Sequence, residues 1–136
     1  MMHAGEGHDA RELIGSPMAD WLALEPASGG GLYTMRFREH HIGNPFIRAI
    51  HGGVVGMLIE MSCELELARS SPGRQVELVS STMDYLRVTK DADMHARVTE
   101  IRTARRLAFF EVWCWQDDEA TPVAHGKCTL RLFDLD

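Results

Sequence analysis

Several kinds of chemistry lack the residues they would need in this sequence. There are three cysteines, and Cys63, Cys114 and Cys128 each sit in an apolar stretch without Cys-x-x-Cys spacing. A thiolate zinc site is thereby excluded, and buried reduced thiols are expected. Cations are scarce: 14 Lys and Arg against 20 Asp and Glu leave a net charge of −6. A chain of that sign is a poor partner for nucleic acid, whose binding rests on clustered Lys and Arg. No apolar run approaches the roughly 20 residues that span a membrane, and Met1 to Gly15 lacks a secretory apolar stretch. No membrane partner is expected, and a cytoplasmic location follows by default. Seven His residues are present, yet neither His40-His41 nor His3 and His8 show helical i, i+4 spacing with a carboxylate, so no metal is expected. Glu39 beside His40-His41 could be imagined as an acid orienting a base. No serine stands in a G-x-S-x-G turn to serve them, which removes the serine-hydrolase reading.

What is present fits one folding unit. At 136 residues, 45% hydrophobic and 25% charged, the chain is long enough to bury a core and short for two. Residues 1–10 are polar and contain Gly and His, so a disordered N-terminus is expected there and a single domain over residues 11–136. Leu13, Ile14, Met18 and Trp21 recur at helical spacing and predict a short helix over residues 10–21, interrupted or bent near Ser16-Pro17. Residues 22–25 and 32–38, separated by the turn-forming Ala27-Ser28-Gly29-Gly30-Gly31, predict a hairpin. Residues 39–50 hold Gly43 and Pro45 and no periodicity, so they read as a loop whose His, Asn and Arg suit the wall of a site.

From residue 53 to residue 69 the sequence has no Pro, is rich in Leu, Met, Glu and Ala, and stops before Ser70-Ser71-Pro72-Gly73, which predicts the longest helix. Its apolar residues cover nearly the whole circumference in the first three turns, which demands burial on most sides. Four strand-like segments follow, near residues 75–87, 94–102, 107–116 and 122–133, joined by charged turns. The fold expected is α+β, a curved and largely antiparallel sheet wrapped around one long central helix.

The chemical signal is concentrated between Asn44 and Glu64. His51-Gly52-Gly53 stands where a loop turns into the long helix. Paired glycines permit close backbone approach, and the first helical N–H groups have no internal partners. With the partial positive charge of a helix N-terminus, such donors suit a carbonyl oxygen that becomes negative in a tetrahedral transition state. The plain alternative is a diglycine that only relaxes a tight junction. Glu60 lies inside Val54-Val55-Gly56-Met57-Leu58-Ile59-Glu60-Met61, where burying a carboxylate is costly and is tolerated for function or pairing. It could act as general base on water or attack an acyl carbon directly. The plain alternative places Glu60 with Glu64 on a polar strip, where like charges at i and i+4 repel.

His51-Gly52-Gly53, the apolar run Val54 to Ile59 and the acid Glu60 together resemble the hotdog-fold acyl-CoA thioesterases of the phenylacetic-acid-degradation (PaaI-like) type. Met83-Asp84-Tyr85-Leu86-Arg87, Arg105-Arg106 and Val123-Ala124-His125-Gly126-Lys127 extend the resemblance over roughly residues 13–133. It implies a hydrolase of acyl-CoA thioesters working as a homodimer, often as a dimer of dimers, with each site shared between subunits. Glu60 of one subunit would face the Gly53 N–H of the other, His51 would shape the loop, and Asn44 would orient water or carbonyl. Coenzyme A would enter as part of the substrate, with no cofactor besides.

On the strand facing the acid, where the family places Ser, Thr or Gly, position gives Leu78 or Val79, with Ser80 and Thr82 available to a shifted register. Arg87 with Lys90, and Arg102 with Arg105 and Arg106, are the densest basic positions and the candidates for the CoA phosphates. Phe46, Met57, Met61 and Leu78 are candidates for the acyl wall. Phe109, Phe110, Trp113 and Trp115 could stack on bases, though strand alternation and dimer burial explain them more simply. An acyl-CoA hydratase or dehydratase, or a non-catalytic acyl-CoA-binding domain, are the alternative functions.

Overall fold

In the computed structural model of the chain, residues 14–27 and 29–134 are described. The expected disordered terminus, His3 and His8, and the start of the first expected helix lie outside them. The helical state at Ile14 is interrupted at Gly15-Ser16, as one of the two expected forms has it, and Ser16 and Pro17 open a new helix. The Ser16 hydroxyl accepts the Ala19 N–H at 3.2 Å, and Pro17 takes the first turn, where its missing donor costs nothing. The resulting α1 (Pro17–Leu22) buries Ala19 and Leu22. The expected hairpin forms as β1 (Leu24–Pro26) and β2 (Leu32–Met35). β2 stops short of Arg38, and the Phe37 N–H goes instead to Asp93 Oδ1 at 2.7 Å.

Residues 39–50, read from sequence as a loop, hold a 3-10 turn at Glu39–His41 and a small hairpin of β3 (Ile42–Asn44) and β4 (Ala49–Ile50). Strands of three and two residues are too short to show a periodicity. The long helix α2 (Gly52–Ser70) runs as expected. Four long strands follow: β5 (Arg74–Tyr85), β6 (Met94–Ala104), β7 (Leu107–Trp115) and β8 (Ala124–Asp134).

The main sheet has the order β1-β2-β6-β7-β8-β5, antiparallel at every pairing, and it curls around α2. Val55, Leu58, Ile59 and Leu67 of the helix are buried against Val76, Ala96, Phe110, Val112 and Leu130 of the sheet. Each such side chain contributes about 1.5–3 kcal/mol on leaving water. Cys63, Cys114 and Cys128 are free and buried in the same core. Among the described residues no helix is long and apolar enough to cross a membrane.

Gly126 lies where the helix rests on the sheet: a Cβ there would come 2.8 Å from Ile59 Cγ2. Gly31 is needed for two reasons. Its φ is +68°, and a Cβ would collide with the Val98 carbonyl oxygen, while its own carbonyl accepts the Val98 N–H at 2.8 Å. Gly31→Ala is expected to lower stability by about 1–3 kcal/mol, read as a reduced urea midpoint at unchanged slope. A loss below about 0.5 kcal/mol would mean that β6 yields freely at Val98.

Candidate active site

The start of α2 is fixed from three sides. His51 is its N-cap: the ring Nδ1 accepts the Gly53 N–H at 2.9 Å, and the His51 carbonyl accepts those of Val54 and Val55 at 2.9 and 3.2 Å. With Nδ1 accepting, the proton of a neutral ring sits on Nε2. The His51 N–H in turn donates to the carbonyl of His41 at 2.9 Å. His41 is fully buried, and its Nδ1 accepts the Arg38 N–H at 3.2 Å while Nε2 meets the Trp21 carbonyl at 3.1 Å. Burial pushes the His41 ring below the usual histidine range, outweighing the bond to Trp21. From β5, the Tyr85 hydroxyl donates to the Gly52 carbonyl at 2.8 Å.

Outward-directed amides at Gly52-Gly53 were expected. The Gly53 N–H is instead occupied by the cap, because the side chain of His51 is itself an acceptor for the second residue of the helix. Among the described residues the Gly52 N–H has no protein partner. Gly43 permits the small hairpin to lie against His51, since a Cβ there would come 2.8 Å from the His51 Cα. Asn44 is exposed, and its Oδ1 accepts the Phe46 N–H at 3.0 Å, which turns the tip of that hairpin.

Glu60 is half-buried on α2. Its Oε2 accepts the Ser81 hydroxyl at 2.5 Å, and among the described residues no cation pairs with it. The residue facing it is thus Ser81, whereas sequence position had given Leu78 or Val79. A β-bulge explains the difference. Leu78 pairs with Leu130 and Ser80 with Thr129, so Val79 is the extra residue, and beyond it the faces of the strand exchange. Leu78 packs on the core and Val79 is 53% exposed. Ser81, Met83 and Tyr85 then share the inner face. Met83 lies over Gly56, where a Cβ would come 2.7 Å from its sulfur.

The basic candidates separate into two groups. Arg87, whose guanidinium donates to the Pro122 carbonyl, lines a cavity of about 170 Å³ with Lys90 and Gln116 at the end of the sheet where α2 begins. Lys90 is paired with Asp117 at 2.6 Å. Arg105 and Arg106 form the β6–β7 turn at the opposite end and line a concavity of about 580 Å³. Neither has an acidic partner among the described residues. Of the residues expected along the acyl wall, Met61 is buried in the core, Met57 and Leu78 pack against it, and Phe46 is 96% exposed. Of the aromatic strand, Phe110 and Trp115 are buried, and Trp113 stacks on His125 with ring centroids 4.1 Å apart.

Glu64, one turn beyond Glu60, is half-buried, and burial first and then the Glu60 charge push its carboxyl up to about 7. In an unfolded chain the same group titrates near the ordinary glutamate value of about 4.3. The native state therefore binds more protons than the unfolded state between those values, and stability falls as pH rises through them. Glu64→Gln is expected to stabilise the protein by about 1–3 kcal/mol at pH 8 and by little at pH 4. Thermal unfolding at both pH values tests this, and an equal gain at each contradicts it.

The profile of the acyl-CoA thioesterase N-terminal domain family matches residues 42–131. No curated protein matches the chain. Among solved structures, a conserved protein of Pseudomonas aeruginosa is 25% identical, with 91% of this chain and 99% of that one covered at a TM-score of 0.75. The PaaI protein of E. coli, from the phenylacetic acid degradation operon, is 16% identical with 90% and 88% covered and a TM-score of 0.75. A Bacillus halodurans protein solved with CoA is 15% identical with 87% and 76% covered and a TM-score of 0.76. With one long helix opened by His51-Gly52-Gly53 and enclosed by a curled antiparallel sheet, the chain belongs to the acyl-CoA thioesterase family and has the hotdog fold.

Proposed function

We propose that the protein hydrolyses an acyl-CoA thioester to the free acid and coenzyme A, using Glu60 as its carboxylate, at a site completed by a second copy of the chain. The observation that carries this reading is the half-buried Glu60, held by a neutral hydroxyl and left without a cation, on the helix that His51-Gly52-Gly53 opens. A carboxylate with no cation beside it is available as a base.

In the reaction, Glu60 takes a proton from water as the water oxygen bonds to the thioester carbon. The carbonyl oxygen becomes negative and is stabilised by the partner subunit's helix start. There the Gly53 N–H exchanges its His51 acceptor for the oxyanion, and the Gly52 N–H stands unclaimed beside it. Collapse breaks the C–S bond, and the proton held by Glu60 passes to the departing thiolate. Direct attack by Glu60 on the acyl carbon, followed by hydrolysis of the anhydride, gives the same products. Asn44 orients water or carbonyl, and Leu78 and Val79 lie along the substrate strand. Arg87, Arg105 and Arg106 hold the CoA phosphates, and water is the only co-reactant.

Three features support a shared site. Seven residues at 1.5 Å rise set Gly53 and Glu60 of one helix about 10 Å apart, too far to act on one carbonyl. The twelve-residue β5 is an edge strand, with β8 on one side and, among the described residues, no strand on the other. Unpaired strand edges of that length invite pairing with another chain. The separation of Arg87 from Arg105 and Arg106 is also more easily reconciled with two chains than with one. The hotdog fold accommodates CoA in the B. halodurans protein.

The test is release of free thiol from a panel of acyl-CoAs. Glu60→Gln should keep the fold and the dimer while lowering turnover by about 10²-fold or more. Turnover by that variant within about twofold of wild type on every active substrate removes Glu60 from the reaction. Saturable binding of acyl-CoA without thiol release would instead mark a binding domain, and hydration of an enoyl-CoA would mark a hydratase.

A further inference from the structure

In an acidic chain most cations find a carboxylate, as Arg36, Arg48 and Arg97 do. Arg102 and Lys127 have none within ion-pair distance among the described residues, and both stand on the face of the sheet turned away from α2. Strand alternation places them there. Gly126 and Cys128 of β8 are buried, so Lys127 and Thr129 point outward, and Phe109 of β7 stands outward between buried Ala108 and Phe110. Two local features keep these cations free. Glu111 lies directly across from Lys127, but its Oε2 is held by His125 Nε2 at 2.8 Å, and Asp84 sits 3.5 Å from the other ring nitrogen. On β6, Glu100 pairs with Phe110 and Arg102 with Phe109, which makes Ile101 the extra residue of a bulge, 56% exposed. The Arg102 guanidinium lies over the Phe109 ring, 5.3 Å from its centroid, instead of on an acid.

These side chains line a groove of about 390 Å³ whose floor is apolar, whose rim carries the two cations, and to which no carboxylate contributes. We propose that the groove binds a free monocarboxylic acid with an apolar tail, the tail lying along Ile101 and Phe109 and the carboxylate meeting Arg102 and Lys127. The volume suits a small molecule. An apolar floor favours a hydrocarbon, and unpaired cations at its rim favour one anionic head over a neutral or cationic one. A second copy docked here about a two-fold axis would set the same cations against each other. The Arg105-Arg106 turn lines a separate concavity, so the groove is not part of the surface assigned to the CoA phosphates. The occupant shares its chemistry with the acid released by the proposed hydrolysis, but its binding does not require that reaction.

Calorimetric titration of the full chain with octanoate tests this. Octanoate should bind saturably, while octanol, with the tail and no charge, and acetate, with the charge and no tail, should each bind about tenfold more weakly or worse. The double variant Arg102→Ala with Lys127→Ala should weaken octanoate by about tenfold. Ile101→Glu sets a carboxylate into the groove at an exposed position and should abolish binding by like-charge repulsion. Both variants alter exposed side chains, and circular dichroism confirms that each keeps its fold.

The proposal is overturned if no saturable binding is seen below about 10 mM, or if octanol binds as well as octanoate. It is also overturned if the double variant binds octanoate within about twofold of wild type, because the acid then sits elsewhere, the catalytic site included. Displacement of octanoate by adenosine bisphosphate would make the groove a nucleotide site, and a smaller assembly of the double variant in sedimentation would make it a contact between copies. Either result contradicts the assignment. Failure of thiol release from every acyl-CoA would remove the thioesterase reading and leave this binding test intact.

Discussion

A helix that is apolar on nearly every side cannot rest on a flat sheet, and this constraint organises the rest of the molecule. Val54, Val55, Leu58, Ile59, Met61, Cys63, Leu65 and Leu67 point in all directions around α2 and are all buried. Only a sheet that curls around the helix can cover them, and the six antiparallel strands do so. The same constraint fixes where polar groups can be. Glu60, Glu64 and Glu66 are the half-buried carboxylates of the helix. Glu66 is satisfied by Tyr33 at 2.8 Å and Arg69 at 2.7 Å, whereas Glu60 has a serine and Glu64 has no hydrogen-bond partner among the described residues. A structural carboxylate is paired; those two are set apart from that pattern.

Burial also sorts the titratable groups by what they can do. The Cys63 and Cys114 thiols are pushed up, Cys114 to about 12, so they stay protonated and serve as small apolar side chains. His41 is pushed the other way and stays neutral, which lets Nδ1 accept the Arg38 N–H while its carbonyl holds the His51 amide. The helix start is thus tied back to α1 through one buried imidazole, and to β5 through Tyr85. Against these two anchors the amides at Gly52 and Gly53 keep a defined direction, which a loop-to-helix junction alone would not give them.

The sequence made the long elements legible because their patterns are long. Nineteen residues without proline leave little choice but α2, and four strands of nine to twelve residues separated by charged turns describe their own sheet. β3 and β4 were invisible because three and two residues carry no period, and their pairing depends on Gly43 lying against His51. The Gly-Gly junction and Glu60 could be singled out from chemistry, but not Ser81. Val79, Ser80, Ser81 and Thr82 are all acceptable strand residues, and nothing in their order announces a bulge. One inserted residue changed which side chain faces the acid, and that register is decided by pairing with β8. The occupied state of the Gly53 amide was hidden for a related reason, since a histidine at the N-cap can point its ring in either direction until the fold closes around it.

A site divided between two chains is the central claim, and mixing two defective proteins tests it most directly. Glu60→Gln removes the base, and Gly53→Pro, at the second residue of α2, removes the amide together with its bond to the His51 ring, so retention of fold by circular dichroism is checked first. Each should be inactive alone. After subunit exchange, random pairing makes half of the dimers mixed and each mixed dimer holds one intact site, so thiol release should return to roughly a quarter of the wild-type rate. A mixture no more active than the sum of its two components would contradict the shared site.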